Sequence, residues 1–473
     1  MAADEKVLKE SDIAYDSVLD LFGIPISNLG ISESQIVSYK PSNAFDLEGN
    51  VKWRIPGTGG SYVDLREIYV KTSVRIMQSD GKPVPPKPKK SATKTTTSTP
   101  ADGQPPPTAP SKETSAEEEE TAGKWRVSPV AYLAHSLWDG VEVRFNDYVV
   151  HGGQTGYSYR AVLNTLLGNN EISDEELQCG MFIKDSPGYV SEVDVSTTSN
   201  QGLLDRHKLM ENSKTVELVS KIDIDCLKTD RLLLNGTSID LTLTPTSSAF
   251  RLLTPNTTNL NYVLEIVDIS LEVKLVTPSS QVMVAHQNVL QKGLSRAKYF
   301  YMKEDLRKFN LAKGSSVFHS EDTFNGRIPE DLTIIFLPSD SLNGKFQKNP
   351  YEFKHYKLSH LNVSLSGRPT PEGPLSFDFD NGKYMKGYMN LYKGKGPPSN
   401  SQRITLKEYA GGFSIFRVLL NTQNESDQYP SNRSGSLRLE ARFAEPLPEN
   451  VVMLAHISFP AMYEIDFSRS VYV

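Results

Sequence analysis

Residues 63–76 read VDLREIYVKTSVRI, and the spacing within this stretch decides the fold. Val63, Leu65, Ile68, Val70, Val74 and Ile76 alternate with Asp64, Glu67, Lys71, Ser73 and Arg75, with one slip of register near Arg66. Side chains on a strand point to opposite faces in turn, so period-two alternation predicts a strand buried on one face. Farther along, Val141, Val143 and Phe145 alternate with Glu142, Arg144 and Asn146. The pattern returns at residues 239–243, 264–275, 332–337, 360–365, 437–443 and 451–459. Turn dipeptides punctuate these runs at Asn235-Gly236, Asn325-Gly326, Asn343-Gly344, Asn381-Gly382 and Ser434-Gly435. Helical spacing is confined to residues 159–167 and 281–292, the second between two strand-rich halves. The chain therefore reads as all-β: a first sandwich, a short helical connector and a second sandwich.

Composition supports this. The chain has 473 residues, of which 31 are Gly and 29 Pro, a load that disfavours helical bundles. Its length suits two or three domains. The formal net charge of −6 excludes a strongly basic nucleic-acid binder. Cys179 and Cys226 are too few for a disulfide framework and read as reduced thiols. No apolar run reaches bilayer length, and the polar opening MAADEKVLKES predicts no secretory signal. The N-x-[ST] sequons at Asn235, Asn256, Asn362, Asn424 and Asn432 are then chance matches.

One stretch stands apart from the strands. Residues 79–123 carry nine prolines with many Thr, Ser and Lys, opening basic at Lys87, Lys89, Lys90 and Lys94 and closing acidic at Glu117–Glu120. So little apolar surface cannot offset ordering entropy, which predicts a flexible solvated loop.

No catalytic pattern assembles. Residues 56–61, PGTGGS, lack the GK[ST] ending of a phosphate loop and precede a strand rather than a helix, so they read as a turn. The eight histidines are scattered, without HExxH or HxH, and no G-x-S-x-G elbow occurs. Asp378, Asp380 and Asn381 in SFDFDNG fall short of a calcium loop and read as a hairpin turn. Asp223, Asp225 and Asp230 alternate and read as the outward face of a strand. No enzyme activity, cofactor or metal site is expected.

The ordered series of strand-rich blocks resembles the double jelly-roll major capsid proteins of adintoviruses and the related Polinton (Maverick) elements. The blocks are DLFGIPISN (20–28), IPGTGGSYVDL (55–65), VSPVAYLAHSLWDGVEVRFNDYVV (127–150) and YSYRAVLNTLL (157–167). They continue with SKTVELVSKIDIDCL and DRLLLNG (213–236), NPYEFKHYKLSHLNVSLSG (349–367), ITLKEYAGGFSIFRVLL (404–420) and GSLRLEARFAEPLPENVVMLAHISFPAMYEID (435–466). The resemblance implies two tandem jelly rolls that self-assemble as homotrimers, forming pseudo-hexagonal capsomers of an icosahedral shell. It implies a virion location after synthesis inside a host cell, and partnership with a penton or vertex protein and minor capsid proteins.

The expected division is an arm over 1–19, a first jelly roll over 20–280, a connector over 281–295 and a second jelly roll over 296–473. Candidate assembly contacts are Phe22, Pro25, Trp138, Tyr351, Phe353 and Tyr356, each with ordinary core packing as its rival role. The arm mixes Asp4, Glu5, Lys6, Lys9 and Glu10, so no direct nucleic-acid site is expected. Rival readings are a tandem jelly-roll carbohydrate-binding or adhesion protein, a cupin-type metalloenzyme, and a domesticated, non-assembling copy of a transposon capsid gene.

Overall fold

A computed structural model describes residues 30–44, 49–57, 59–88, 123–168, 173–256, 262–293, 295–370, 373–393, 403–420 and 434–473. Most of the 79–123 loop and the arm therefore lie outside the described residues.

The first half contributes β1 (Ile31–Tyr39), β2 (Val51–Ile55), β3 (Tyr62–Gln78), β4 (Trp138–Phe145), β5 (Tyr148–His151), β6 (Val216–Lys221), β7 (Ile239–Pro245) and β8 (Tyr262–Pro278). They form two antiparallel sheets of order β1-β8-β3-β6 and β2-β7-β4-β5. The second half contributes β9 (Ala297–Leu311), β10 (Val317–Arg327), β11 (Asp331–Pro338), β12 (Leu358–Leu365), β13 (Arg368–Pro369), β14 (Ile415–Leu419), β15 (Ser434–Phe443) and β16 (Val451–Ile465). Their sheets run β9-β16-β11-β14 and β10-β15-β12-β13. Strand for strand, the order in the second half repeats that in the first. In each half the first strand pairs with the last, so chain ends meet and long connections cross between sheets.

Alternation becomes burial as predicted along β3, where Leu65, Ile68, Val70, Val74 and Ile76 all point into the first sandwich. The second half departs from it. Alternation over 332–337 and 451–459 predicts one buried face, yet β11 from Leu332 onward and β16 over residues 451–457 are buried on both. Leu332, Ile334 and Phe336 enter the interior of the second sandwich, while Ile335 and Leu337 join the core of the first half. On β16, Val451, Met453, Ala455 and Ile457 face inward, and Val452 and Leu454 face the first half. A sheet covered on both sides has no use for polar alternation, and its strands run continuously apolar.

Three helices matter for this seam. All ten residues of α1 (Tyr157–Leu166) are buried; it starts after Gly156, whose N–H donates to Asp139 Oδ1 and whose φ of 94° suits only glycine well. The helix α2 (Gln201–Met210) is capped by Asn200, which accepts from the Leu203 N–H. Sequence spacing missed it, because only Gly202, Leu203, Arg206 and Met210 are buried. The helix α3 (Ser280–Gln291) matches the helical spacing read over 281–292 within a residue, and Leu290 alone on it is buried.

Two turn readings need correction. Asn325-Gly326 and Ser434-Gly435 are not hairpin turns: they lie opposite one another in the β10–β15 ladder, Asn325 against Ser436 and Gly326 against Gly435. Asn381-Gly382 is a turn, closed by the Asp378–Lys383 bridge.

Candidate assembly surface

The residues named from sequence divide by burial. Phe22 and Pro25 lie outside the described residues. Trp138, at the start of β4, is 3% exposed, Tyr351 1% and Phe353 0%. These three fill the interior of the subunit and present almost no surface to a neighbour. Tyr351 sits edge-on to Tyr159 and Phe250 of the first half, and its hydroxyl lies 2.6 Å from Ser136 Oγ. Phe353 continues the chain of rings to Phe413, with centroids 6.4 Å apart. They are the aromatic filling of the seam. Tyr356 is half-buried, and its hydroxyl donates to Glu449 Oε1 at 3.1 Å; burial, with Glu449 beside it, pushes the phenol upward.

Exposed apolar side chains lie elsewhere. Ile36 on β1 is 70% exposed and Val284 on α3 is 59% exposed, with Ile31 and Val289 also open. A groove of about 550 Å³ runs between β1, α3 and the start of β9, lined by Ile31, Tyr62, Leu234, Val282, Leu290 and Tyr299. Tyr62 and His286 meet across it at 3.0 Å. Sequence signals for this surface existed: β1 lacks alternation, and α3 carries valines on more than one face.

The seam also holds charge. Asp223 and Asp225, expected on an outward face, are 4% and 1% exposed; Asp225 opens a 3-10 turn that packs on β9, and Asp223 lies just before it. Asp225 accepts from His151 Nδ1 at 2.8 Å, from the Cys226 N–H and from the Glu304 N–H. Burial raises the Asp225 carboxyl, but His151 outweighs it and holds the group below the usual range. Glu304, on β9, takes hydrogen bonds from Asn164 and Lys228, each at 2.9 Å, with Arg160 and His456 at 3.7 and 3.6 Å. Burial opposes ionisation there too, yet Lys228, His456 and Arg160 hold its carboxyl well down. Carboxylates on an extended stretch look like a solvated face because the groups that enclose them, His151 and Glu304, are distant in sequence.

A second buried pair anchors the long loop after α1. Arg206 is fully buried and donates to Asp185 Oδ1 at 2.6 Å and to the Pro129 and Ile183 carbonyls. Asp185 also accepts from Asn200 and from Asn349 of the second half. Among the described residues, no group of three or more His, Cys, Asp or Glu is placed to hold a metal. No helix there is long and apolar enough to cross a membrane.

No family profile matches the chain. The Caenorhabditis elegans protein F54H12.2, itself uncharacterised, is 21% identical over 94% of this chain and 98% of its own length. Among solved structures, a chain of the Sputnik virophage superposes with a TM-score of 0.62 at 12% identity, covering 98% of this chain and 92% of its own. The faustovirus major capsid protein gives 0.53 at 9% identity over 97% and 93% of the two chains, and the mavirus major capsid protein 0.50 at 9% over 98% and 95%. The fold is a double jelly roll. Each half closes two sheets, each built on a path of four strands, and here β9, β16, β11 and β14 turn their second face onto the first half.

Proposed function

We propose that the chain is a major capsid protein that assembles as homotrimers. Three copies supply six jelly rolls, the outline of a pseudo-hexagonal capsomer, and such capsomers tile an icosahedral shell. The observation that carries this reading is the repeated strand order on one chain, with the two halves welded by a shared core. A tile must keep its two lobes at a fixed angle, and a seam packed like a domain interior does so. The whole-length likeness to capsid subunits supports the same reading.

The subunit acts as a building block, without catalysis or cofactor, located in the virion after synthesis in the host cell. Its partners are other copies of itself, with vertex and minor capsid proteins completing the shell; an adintovirus or Polinton origin follows from the sequence blocks. The division into an arm over 1–19, jelly rolls over 20–280 and 296–473 and a connector over 281–295 belongs to the same proposal. Contacts between subunits run through open apolar groups such as Ile36 and Val284 rather than through the enclosed aromatics. Expression followed by mass measurement and electron microscopy tests the whole proposal. Trimers or shells are expected, and a stable monomer under all conditions refutes it.

A further inference from the structure

The charge cluster at the seam is out of balance. Asp223, Asp225 and Glu304 bring three negative charges, and Lys228 and Arg160 bring two positive ones. The neighbouring Asp331 and Arg417 pair at 2.9 Å and cancel. Lysine and arginine charges alone leave one carboxylate of this buried site without a matching cation, and Asp223 and Glu304 share the Lys228 ammonium, where an incompletely compensated ion is expensive.

The supports are unequal. Asp225 holds three donors and Glu304 two, with two further cationic or imidazole groups within 4 Å. Asp223 has Lys228 Nζ at 2.5 Å and, among the described residues, no other hydrogen-bond donor on either carboxyl oxygen. The same ammonium is shared with Glu304. His151 is committed elsewhere: its Nδ1 faces Asp225, and its Nε2 lies 3.5 Å from Arg160 Nη2, which can only donate. Two phenols also stand near Asp223: Tyr157, whose hydroxyl accepts from the Asp223 N–H, and Tyr132, both pushed up by burial. His135 is pushed down to about 3 by burial and by Lys228.

We infer that the seam binds one proton at Asp223, and that this proton relieves the competition of Asp223 and Glu304 for Lys228 and locks the two jelly rolls together. Burial, reinforced by Glu304 and opposed by Lys228 and Arg160, raises the Asp223 carboxyl above its ordinary value. The folded chain then holds the proton more tightly than the unfolded chain. The stabilisation is complete below the ordinary carboxylate range and is lost as pH rises through the folded value. The seam is thus an acid-closed, alkali-loosened joint.

Asp223→Asn copies the protonated carboxyl in shape and charge. Relative to D223N, wild type should lose stability as pH rises from 4.5 to 8.5, with a slope difference of up to one proton, at most tenfold in the folding equilibrium per pH unit. D223N should be the more stable protein at pH 8.5. Hydrogen exchange at the Glu304 amide, which donates to Asp225 across the seam, should quicken with pH in wild type beyond the intrinsic base catalysis, and not in D223N. His456→Gln should keep the wild-type slope. Parallel pH profiles for wild type and D223N, or a profile altered only in H456Q, overturn the assignment. Should D223N fail to fold, the infrared carbonyl band of the buried carboxyl followed in the wild-type chain from pH 4.5 to 8.5 decides the matter: a band that persists above the ordinary carboxylate range is expected, and its loss at the ordinary value overturns the assignment.

Discussion

Phe353→Ala separates an interior residue from a subunit contact. The side chain is fully enclosed, between the ring of Tyr351 and that of Phe413. Its backbone is clamped as well: the Phe353 N–H donates to the Gly412 carbonyl, and the Ser414 N–H donates to the Phe353 carbonyl. A clamped backbone cannot move in to fill the space left by the ring, so most of the cavity persists. Truncating a buried phenylalanine costs about 3–5 kcal/mol, and poor relaxation puts this site toward the upper end. For domains of this size that corresponds to a melting temperature lower by about 10 °C. The assay is thermal unfolding of the unassembled subunit, followed by circular dichroism and paired with size-exclusion chromatography. A lower melting temperature with an unchanged elution profile of the folded fraction is expected. A variant that melts with wild type but no longer self-associates would show that Phe353 faces a neighbour, refuting the interior placement.

Other positions give sharp expectations. Arg206→Ala strands Asp185 in the interior and should cost about 3–5 kcal/mol in urea unfolding, with Asp185→Asn in the same chain recovering part of the loss. Equal stability of the single and double variants would contradict this. Gly344→Ala should give insoluble or strongly destabilised protein, because φ is 89° and a Cβ there would overlap the Phe250 backbone; soluble protein with a wild-type melt would count against the packing of that turn. A thiol reagent should label Cys179 alone in the native subunit and both cysteines after denaturation, since Cys226 is buried and its thiol is pushed up by that burial. Two fast thiols in the native state would show an open seam.

Much of the fold was legible because the first half obeys a simple rule. Where one face meets the core and the other meets water, alternation appears in the letters, as along β3. The second half breaks the rule at β11, β14 and β16, and runs such as LTIIFLP announce burial without saying that two different cores share it. The aromatics Tyr351 and Phe353 were conspicuous for the same reason. A large ring in a loop block fits a contact between subunits or a contact between halves, and only the fold tells them apart. The charged seam was illegible in principle. Asp223 and Asp225 are polar letters in an extended segment, and their burial depends on Glu304, Arg160 and His456 arriving from three other elements.

The seam explains how one chain becomes a rigid tile. Interfaces between domains of one chain are commonly polar and allow relative motion. Here a single apolar cluster runs from Trp53 and Val74 in the first half through Tyr159 and Tyr351 to Leu337, Leu454 and Tyr463 in the second. Apolar packing alone resists separation but discriminates weakly against sliding, because it has little directional character. Directional bonds supply what it lacks: the Glu304 N–H to Asp225, the Tyr299 hydroxyl from the Leu234 N–H, and Arg469 to the Asn235 carbonyl each tie the second half to one point on the first. A slip of one residue along β9 would lose the Asp225 and Leu234 bonds together while leaving most apolar contact area in place. The polar groups at the seam therefore set its register, the apolar groups hold it shut, and the angle between the two jelly rolls follows from both.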